Sequence, residues 1–149
     1  MIVTIKESKF KIRNCKDEDY RFVYNLLKKN MYSLVVKHWG SWNPKMFRAH
    51  FNKKNIKIVE CQTKKVAFCD FEFKENFSYI NDVQVSTLMQ GKGLGTFLMD
   101  LMEKETKRQG LRKIRLRVFK DNKAKKLYYK LGYKTIKDDK SSIVLEKKL

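Results

Sequence analysis

The chain has 149 residues, of which 35 are Lys or Arg and 16 are Asp or Glu, so its formal net charge is +19. This length suits one domain covering residues 1–149, and a hydrophobic content of 42% excludes wholesale disorder. The sequence has no apolar run near the ~20 residues that a membrane span needs, and its first residues lack a signal-peptide pattern. We therefore expect a soluble, cytoplasmic protein with no membrane partner.

The spacing of apolar residues predicts a mixed order of strands and helices. A strand at 10–13 precedes a helix whose start carries the acidic residues 17–19. A second, less regular helix is predicted from Met31 to about Phe51, broken near Gly40 and Pro44. Strands at 56–59, 66–73 and 79–85, a helix up to Gly110, a strand at 114–118, a short helix at 122–131 and strands at 133–137 and 142–146 complete the chain. The order β-α-α-β-β-β-α-β-α-β-β predicts an α/β fold.

A glycine-rich turn separates the strand at 79–85 from the helix that follows it. It reads Gln90-Gly91-Lys92-Gly93-Leu94-Gly95 and ends at Thr96. Glycine permits positive φ and close backbone approach, and the free N–H groups at a helix start attract phosphates. The P-loop pattern is absent, and Thr96 stands where a dinucleotide fingerprint needs its third glycine. The remaining Q-x-x-G-x-G pattern also fits a purely structural tight turn.

The positive charge is concentrated in residues 104–137, here called the basic segment. It contains 14 Lys or Arg and only two acids, Glu105 and Asp121. Such a field attracts polyanions, either a nucleic acid or a multiply phosphorylated cofactor. A solvated basic surface without a partner explains the same composition.

The cysteines and histidines show no metal-binding or catalytic pattern. Cys15, Cys61 and Cys69 lack C-x-x-C spacing and lie in apolar segments, which favours reduced, buried thiols. His38 and His50 lie twelve residues apart without partners at ligand spacing. We expect no metal.

Two motifs about thirty residues apart make the sequence resemble the GNAT superfamily of acetyl-CoA-dependent N-acetyltransferases. The first is the [QR]-x-x-G-x-[GA] turn, and the second supplies Asn122, Ala124, Leu127-Tyr128 and Gly132-Tyr133. The resemblance implies a single domain with a central mixed, mostly antiparallel sheet flanked by helices. It also implies acetyl-CoA as cosubstrate, with direct acetyl transfer to a primary amine through a ternary complex.

The resemblance further implies residues that bind the coenzyme. Backbone groups of Val83 and Val85 would hold the pantetheine arm, as would the side chain of Asn122. The pyrophosphate would lie on the turn, and Lys125 in the basic segment would add a further contact. The implied turn residues are Gln90, Gly91, Lys92, Gly93, Leu94, Gly95 and Thr96.

The implied catalytic acid is Tyr128, which would give a proton to the departing thiolate. A core aromatic, like Tyr129 beside it, is the structural alternative. Tyr128 follows Asn122 by six residues where the common motif has seven, so Asp121 is the other candidate for the Asn position.

The base and the acceptor site are the least constrained by sequence. Asp82 and Glu72 are candidates for the base, and Glu72 also for contacts with the acceptor. A surface or structural role is the alternative for each. Trp39 and Trp42 lie between the first helix and the next strand, where the family builds its acceptor pocket. They fit either a cleft wall that attracts ammonium groups or packing on the core.

A different class of function stays open beside the enzyme. The basic segment also fits a non-catalytic or nucleic-acid-associated GNAT-like module. The coenzyme motif favours the enzyme, because CoA is itself polyanionic. The expected partner is an amine acceptor, either a small molecule or a protein amine, for a monomer or homodimer; a nucleic acid is the less favoured partner.

Overall fold

The computed structural model describes all 149 residues, which form eight strands, four α-helices and the turns that connect them. The strands are β1 (Ile2–Ile5), β2 (Ser8–Asn14), β3 (Ile56–Cys61), β4 (Lys64–Phe73), β5 (Ser78–Val85), β6 (Lys113–Phe119), β7 (Lys134–Asp138) and β8 (Ser142–Lys148). The helices are α1 (Tyr20–Trp39), α2 (Pro44–His50), α3 (Leu94–Arg108) and α4 (Lys125–Lys130).

The strands form one mixed sheet in the order β1-β2-β3-β4-β5-β6-β8-β7. β5 and β6 are parallel, whereas β1–β2, β2–β3, β3–β4, β6–β8 and β7–β8 are antiparallel. The predicted α/β fold, with a mixed and mostly antiparallel sheet flanked by helices, is confirmed.

The predicted element order omitted one strand at the N-terminus. β1 pairs with β2 through a two-residue turn at Lys6 and Glu7, whose φ angles are 46° and 72°. Turns of this kind normally use Asn or Gly, which adopt positive φ at little cost. Because neither residue type is present, the sequence carries no hairpin signal at this position.

The boundary between the first two helices also differs from the prediction. α1 continues through Met31 to Trp39, and Gly40 ends it with a φ of 87°. Pro44 then begins α2, and the side chain of Asn43 accepts a hydrogen bond from the Met46 N–H. The predicted break is confirmed, but the predicted start of a second helix at Met31 is wrong.

The chain divides into two compact units, the first comprising Met1–Asp70 and Asp82–Gly95. Its core contains Cys15, Val23, Leu26, Ile56, Ile58 and Phe68. The buried carboxylate of Asp19 contacts Arg13 at 2.7 Å and Lys65 at 2.7 Å. Hydrogen bonds from these two cations hold the pKa of Asp19 well below its usual value.

The second unit comprises Phe71–Asn81 and Thr96–Leu149. The hydroxyl of Thr106 lies 2.7 Å from the Ser78 hydroxyl and 2.7 Å from the Met102 carbonyl, so the polar groups inside this unit are satisfied. Buried apolar residues of this unit include Leu98, Met99, Met102, Ile114, Leu116 and Leu145.

Candidate functional site

The glycine turn (residues 90–96) has the backbone conformation that its composition predicts at two of its three glycines. Gly91 and Gly93 have φ angles of 75° and 88°, in the left-handed region. Gly95 lies inside α3 and is not among the positive-φ residues, so the expected need for positive φ does not apply to it. The side-chain amide of Gln90 donates to the Val85 carbonyl at 3.0 Å and ties the turn to the end of β5.

The turn leads directly into the N-terminus of α3. Leu94 is the first residue of this 15-residue helix and is buried, which anchors the turn, whereas Lys92 and Thr96 are exposed. The first N–H groups of a helix have no acceptor within the helix, and the helix dipole places partial positive charge there. The turn can therefore bind an anionic group such as a phosphate through its backbone.

The second half of β5 lies beyond the residues that pair with β6. β5 pairs with β6 over Ser78, Tyr79 and Ile80. Just past the strand, the Ser86 N–H donates to the Val66 carbonyl of β4 at 2.8 Å. Because backbone directions alternate along a strand, the N–H groups of Val83 and Val85 point away from β4. The Val85 carbonyl already accepts from Asn30 at 3.1 Å and from Gln90, so a ligand at Val85 would use its N–H.

Asp82 is the one carboxyl group of β5, and its pKa is raised. Its Oδ1 accepts a hydrogen bond from the Gln84 amide at 3.1 Å, and Gln84 in turn accepts from Asn30 at 3.1 Å. Desolvation raises the pKa of Asp82 to about 7; the Gln84 hydrogen bond opposes that rise, and the charge of Asp70 adds to it. A carboxyl group with a near-neutral pKa is suited to proton transfer at physiological pH.

Glu72 is held differently. Its carboxylate accepts from the Asn81 amide at 2.9 Å and pairs with Lys74 at 2.5 Å. Both contacts lower its pKa. A carboxylate stabilised in this way is a weaker proton acceptor than Asp82.

The two tryptophans occupy different environments. Trp39, at the end of α1, is 63% exposed. The indole N–H of Trp42 donates to the Tyr24 hydroxyl at 2.9 Å, and its ring also contacts Tyr32. The Lys28 ammonium lies 5.9 Å from the ring centroids of both Tyr24 and Tyr32, so these aromatic faces already attract a cation.

The second motif forms the start of α4. The Asn122 side-chain oxygen accepts from the Ala124 N–H at 2.9 Å. The Lys125 ammonium donates to the Lys120 carbonyl at 2.7 Å, so the basic group that was expected to contact the coenzyme also closes this loop.

Tyr128 lies on α4 and is partly buried. Its ring meets the ring of Tyr133 edge-on, with centroids 6.2 Å apart. Tyr133 is the core aromatic of this pair, being 2% exposed and donating its hydroxyl to Glu103 at 3.0 Å. Tyr129, the comparison residue for a packing role, is 45% exposed and is not a core aromatic.

The expected site residues fall into both units. The first unit contains Trp39, Trp42, Asp82, Val83, Val85 and the turn up to Gly95, and the second contains Glu72, Thr96, Asn122, Lys125 and Tyr128. Sequence reasoning missed Asn30 and Gln84. A signal existed, because Asn30 is a polar residue at i+7 from Val23 and i+4 from Leu26 on the buried face of α1.

The remaining reactive side chains behave as structural groups. Desolvation raises the pKa of the Cys15 thiol to about 11 and that of the Cys69 thiol to about 12, which favours the unreactive thiol form. No three His, Cys, Asp or Glu side chains are grouped as metal ligands. None of the helices is long and apolar enough to cross a membrane.

The acetyltransferase (GNAT) family model matches residues 20–133. Among solved structures, the PaiA N-acetyltransferase from Thermoplasma acidophilum, in complex with coenzyme A, is 19% identical with a TM-score of 0.77 over 94% of this chain and 99% of its own. The ribosomal-protein-S18-alanine N-acetyltransferase from Escherichia coli is 18% identical with a TM-score of 0.72, over 92% of each chain. N-acetylglutamate synthase from Neisseria gonorrhoeae, complexed with coenzyme A and N-acetyl-glutamate, is 15% identical with a TM-score of 0.77, over 97% of this chain and 36% of its own. No curated protein sequence matches the chain. At these identities the solved structures share the fold.

Proposed function

Because the chain belongs to the acetyltransferase (GNAT) family, we propose that it is an N-acetyltransferase that moves the acetyl group of acetyl-CoA directly to a primary amine within a ternary complex. The observation that carries this proposal is the glycine turn, whose two left-handed glycines lead into the N-terminus of α3. Acetyl-CoA supplies an activated acyl group and a pyrophosphate.

The glycine turn would bind that pyrophosphate. Its backbone N–H groups and the α3 dipole both favour a negative charge, and the exposed Lys92 adds a cation. A Cβ built on Gly91 meets no other atom within 4 Å, so the turn is open at this residue.

The edge of β5 would hold and polarise the acyl donor. The N–H groups of Val83 and Val85, which point away from β4, can donate to the pantetheine and to the thioester carbonyl. Backbone donors that are already oriented stabilise negative charge on a carbonyl oxygen without reorganisation.

Asp82 would act as the base that takes a proton from the incoming ammonium group. An α-amino group has a pKa of about 8 and a lysine about 10.4, so the acceptor must lose a proton before it attacks. The Gln84 contact to Oδ1 orients the carboxyl group and leaves Oδ2 to receive the proton. The lowered pKa of Glu72 makes it the weaker candidate and is compatible with a role in acceptor binding.

Tyr128 would return a proton to the departing thiolate. The hydroxyl of the neighbouring Tyr133 donates to Glu103, and burial raises the pKa of Tyr133 above its usual value. Tyr133 is therefore the poorer proton donor. Tyr128 is the more exposed residue of this aromatic pair, which supports a chemical role for its hydroxyl. Asn122 and Lys125 would contact the coenzyme.

The acceptor would bind at the aromatic surface of α1 and the α1–α2 loop, formed by Tyr24, Tyr32, Trp39 and Trp42. Aromatic faces attract ammonium ions, and Lys28 already lies against two of these rings. Solved structures that share the fold include a ribosomal-protein-S18-alanine N-acetyltransferase and an N-acetylglutamate synthase. A primary amine on a peptide or an amino acid is therefore the substrate class that we propose.

The nucleic-acid alternative is weakened by ion pairs within the basic segment. Six of its cations lie against carboxylates, which reduces the field available to a polyanion. These are Lys104 with Asp100, Arg108 with Glu105, Arg115 with Glu146, Arg117 with Asp139, Lys120 with Asp138 and Lys137 with Asp139.

The test is a thiol-release assay with acetyl-CoA against a panel of peptide N-termini, lysine peptides, amino acids and polyamines. CoA binding is measured in parallel by calorimetry. We expect micromolar binding and amine-dependent release of CoA, with the acetylated amine identified by mass spectrometry. Absence of CoA binding by the folded protein would refute the coenzyme assignment, and binding without transfer to any amine would favour a non-catalytic module.

A further inference from the structure

The turn of the β1–β2 hairpin lies against the glycine turn, although 87 residues separate Lys6 from Gly93 in the sequence. The Ile5 γ2 methyl and the Lys6 Cε lie 3.4 Å and 4.0 Å from the position that a Cβ on residue 93 would occupy. The Lys6 ammonium is one covalent bond beyond Cε. The hairpin therefore brings a lysine to the same backbone that would bind a pyrophosphate.

We propose that Lys6 is a coenzyme-binding residue whose ammonium contacts the pyrophosphate of acyl-CoA on the glycine turn. The inference rests on the proposed function, because it needs the coenzyme to bind at this turn. It deepens that function by adding a side chain from the first hairpin to the glycine turn, where the pyrophosphate would bind.

The chemistry of the contact follows from charge and exposure. Lys6 is exposed, so its ammonium is not committed to a buried ion pair, and a pyrophosphate carries several acceptor oxygens with negative charge. Ammonium–phosphate hydrogen bonds are among the stronger polar contacts in proteins. The adjacent Glu7 is also exposed, and its carboxylate would oppose anion binding rather than assist it.

A purely structural role for Lys6 makes a different prediction. In that role its aliphatic stem would pack against Gly93 while the ammonium stayed in water. Lys6→Met keeps the stem and removes the charge, so it separates packing from charge. The positive φ of Lys6 does not by itself indicate a functional role. The β3–β4 turn has similar φ angles, 50° at Gln62 and 68° at Thr63, and lies outside the proposed site.

The experiment compares Lys6→Met, Lys6→Arg and the control Lys11→Met by calorimetry with CoA and with 3′-dephospho-CoA. Lys11 is an exposed lysine of the same hairpin that pairs with Ile2, away from the turn, and its replacement lowers the net charge equally. We expect Lys6→Met to weaken binding of both ligands about fivefold at low salt, between the usual effects of an exposed ion pair and a charge-assisted hydrogen bond. Lys6→Arg should bind within twofold of the parent.

Three outcomes would overturn the inference. Equal affinities of Lys6→Met and Lys11→Met would assign Lys6 to packing alone. If Lys6→Met weakened binding of CoA but not of 3′-dephospho-CoA, the ammonium would contact the 3′-phosphate and not the pyrophosphate. In both of these outcomes the proposed function still stands if the parent protein binds CoA. The third outcome is a parent protein that binds neither ligand, which would refute both proposals.

Discussion

Replacing Asp82 by Asn should stabilise the fold by an amount that grows with pH. The pKa of this carboxyl group rises from 3.8 to about 7 in the folded chain, mainly through desolvation. The folded state therefore binds the proton more tightly than the unfolded state. Between these two pKa values wild-type stability falls as the pH rises, because the unfolded chain releases the proton and the folded chain does not.

The magnitude follows from the shift. One pKa unit corresponds to about 1.4 kcal/mol, so between pH 5 and pH 7 the parent loses roughly 2.5 kcal/mol of folding stability through the Asp82 carboxyl group. Well above pH 7 this group is ionised in both the folded and the unfolded chain, and the loss stays constant. The Asn variant has no proton to lose, and its amide oxygen can still accept the hydrogen bond from Gln84. The stability difference between variant and parent should widen by about 3 kcal/mol from pH 5 to pH 8.

Urea denaturation at pH 5, 6, 7 and 8 measures this widening directly. Glu72→Gln is the matched control, since the pKa of Glu72 is lowered from 4.5 and its stability difference should stay constant over this range. The same Asp82 variant should lose the rise of kcat/KM with pH that a base with a pKa near 7 produces. If the free energies of unfolding of the Asp82 variant and the parent changed in parallel with pH, the raised pKa of this carboxyl group would be refuted.

Three further substitutions test other parts of the structure. Gly93→Ala should weaken CoA binding by about tenfold or more, because a side chain at a φ of 88° distorts the turn; Gly110→Ala, at a φ of 78° with open space around it, should leave CoA affinity unchanged. Tyr128→Phe should lower kcat by roughly 100-fold, the low end for general acid catalysis, while calorimetry finds unchanged CoA affinity; a kcat within twofold of the parent would assign the residue to packing. Asp19→Ala should destabilise the fold by roughly 3–5 kcal/mol in urea denaturation, because it removes the buried carboxylate that pairs with Lys65 and Arg13 and leaves Arg13 only its longer ion pair with Glu60; Asp17→Ala, which breaks an exposed pair with Lys53, should have a much smaller effect.

Local patterns in the sequence were enough to predict most elements and the glycine turn. The apolar spacing of α3, the alternation of β6 and the positive-φ glycines at 40, 93 and 110 depend on residues within one or two turns of each other. The Asn30 contact with Gln84 was not predictable in this way, because it joins a helix to a strand 54 residues later.

Only the tertiary structure decided how the charged groups behave. The pKa of Asp82 depends on desolvation by the residues that pack around it and on Asp70, which composition does not reveal. The ion pairs of Arg115, Arg117 and Lys120 depend on carboxylates that the fold brings near. The approach of Lys6 to Gly93 depends on a hairpin without a turn signal. Secondary structure follows from neighbours along the chain, whereas solvation and charge pairing follow from neighbours in space, and these neighbours exist only once the chain has folded.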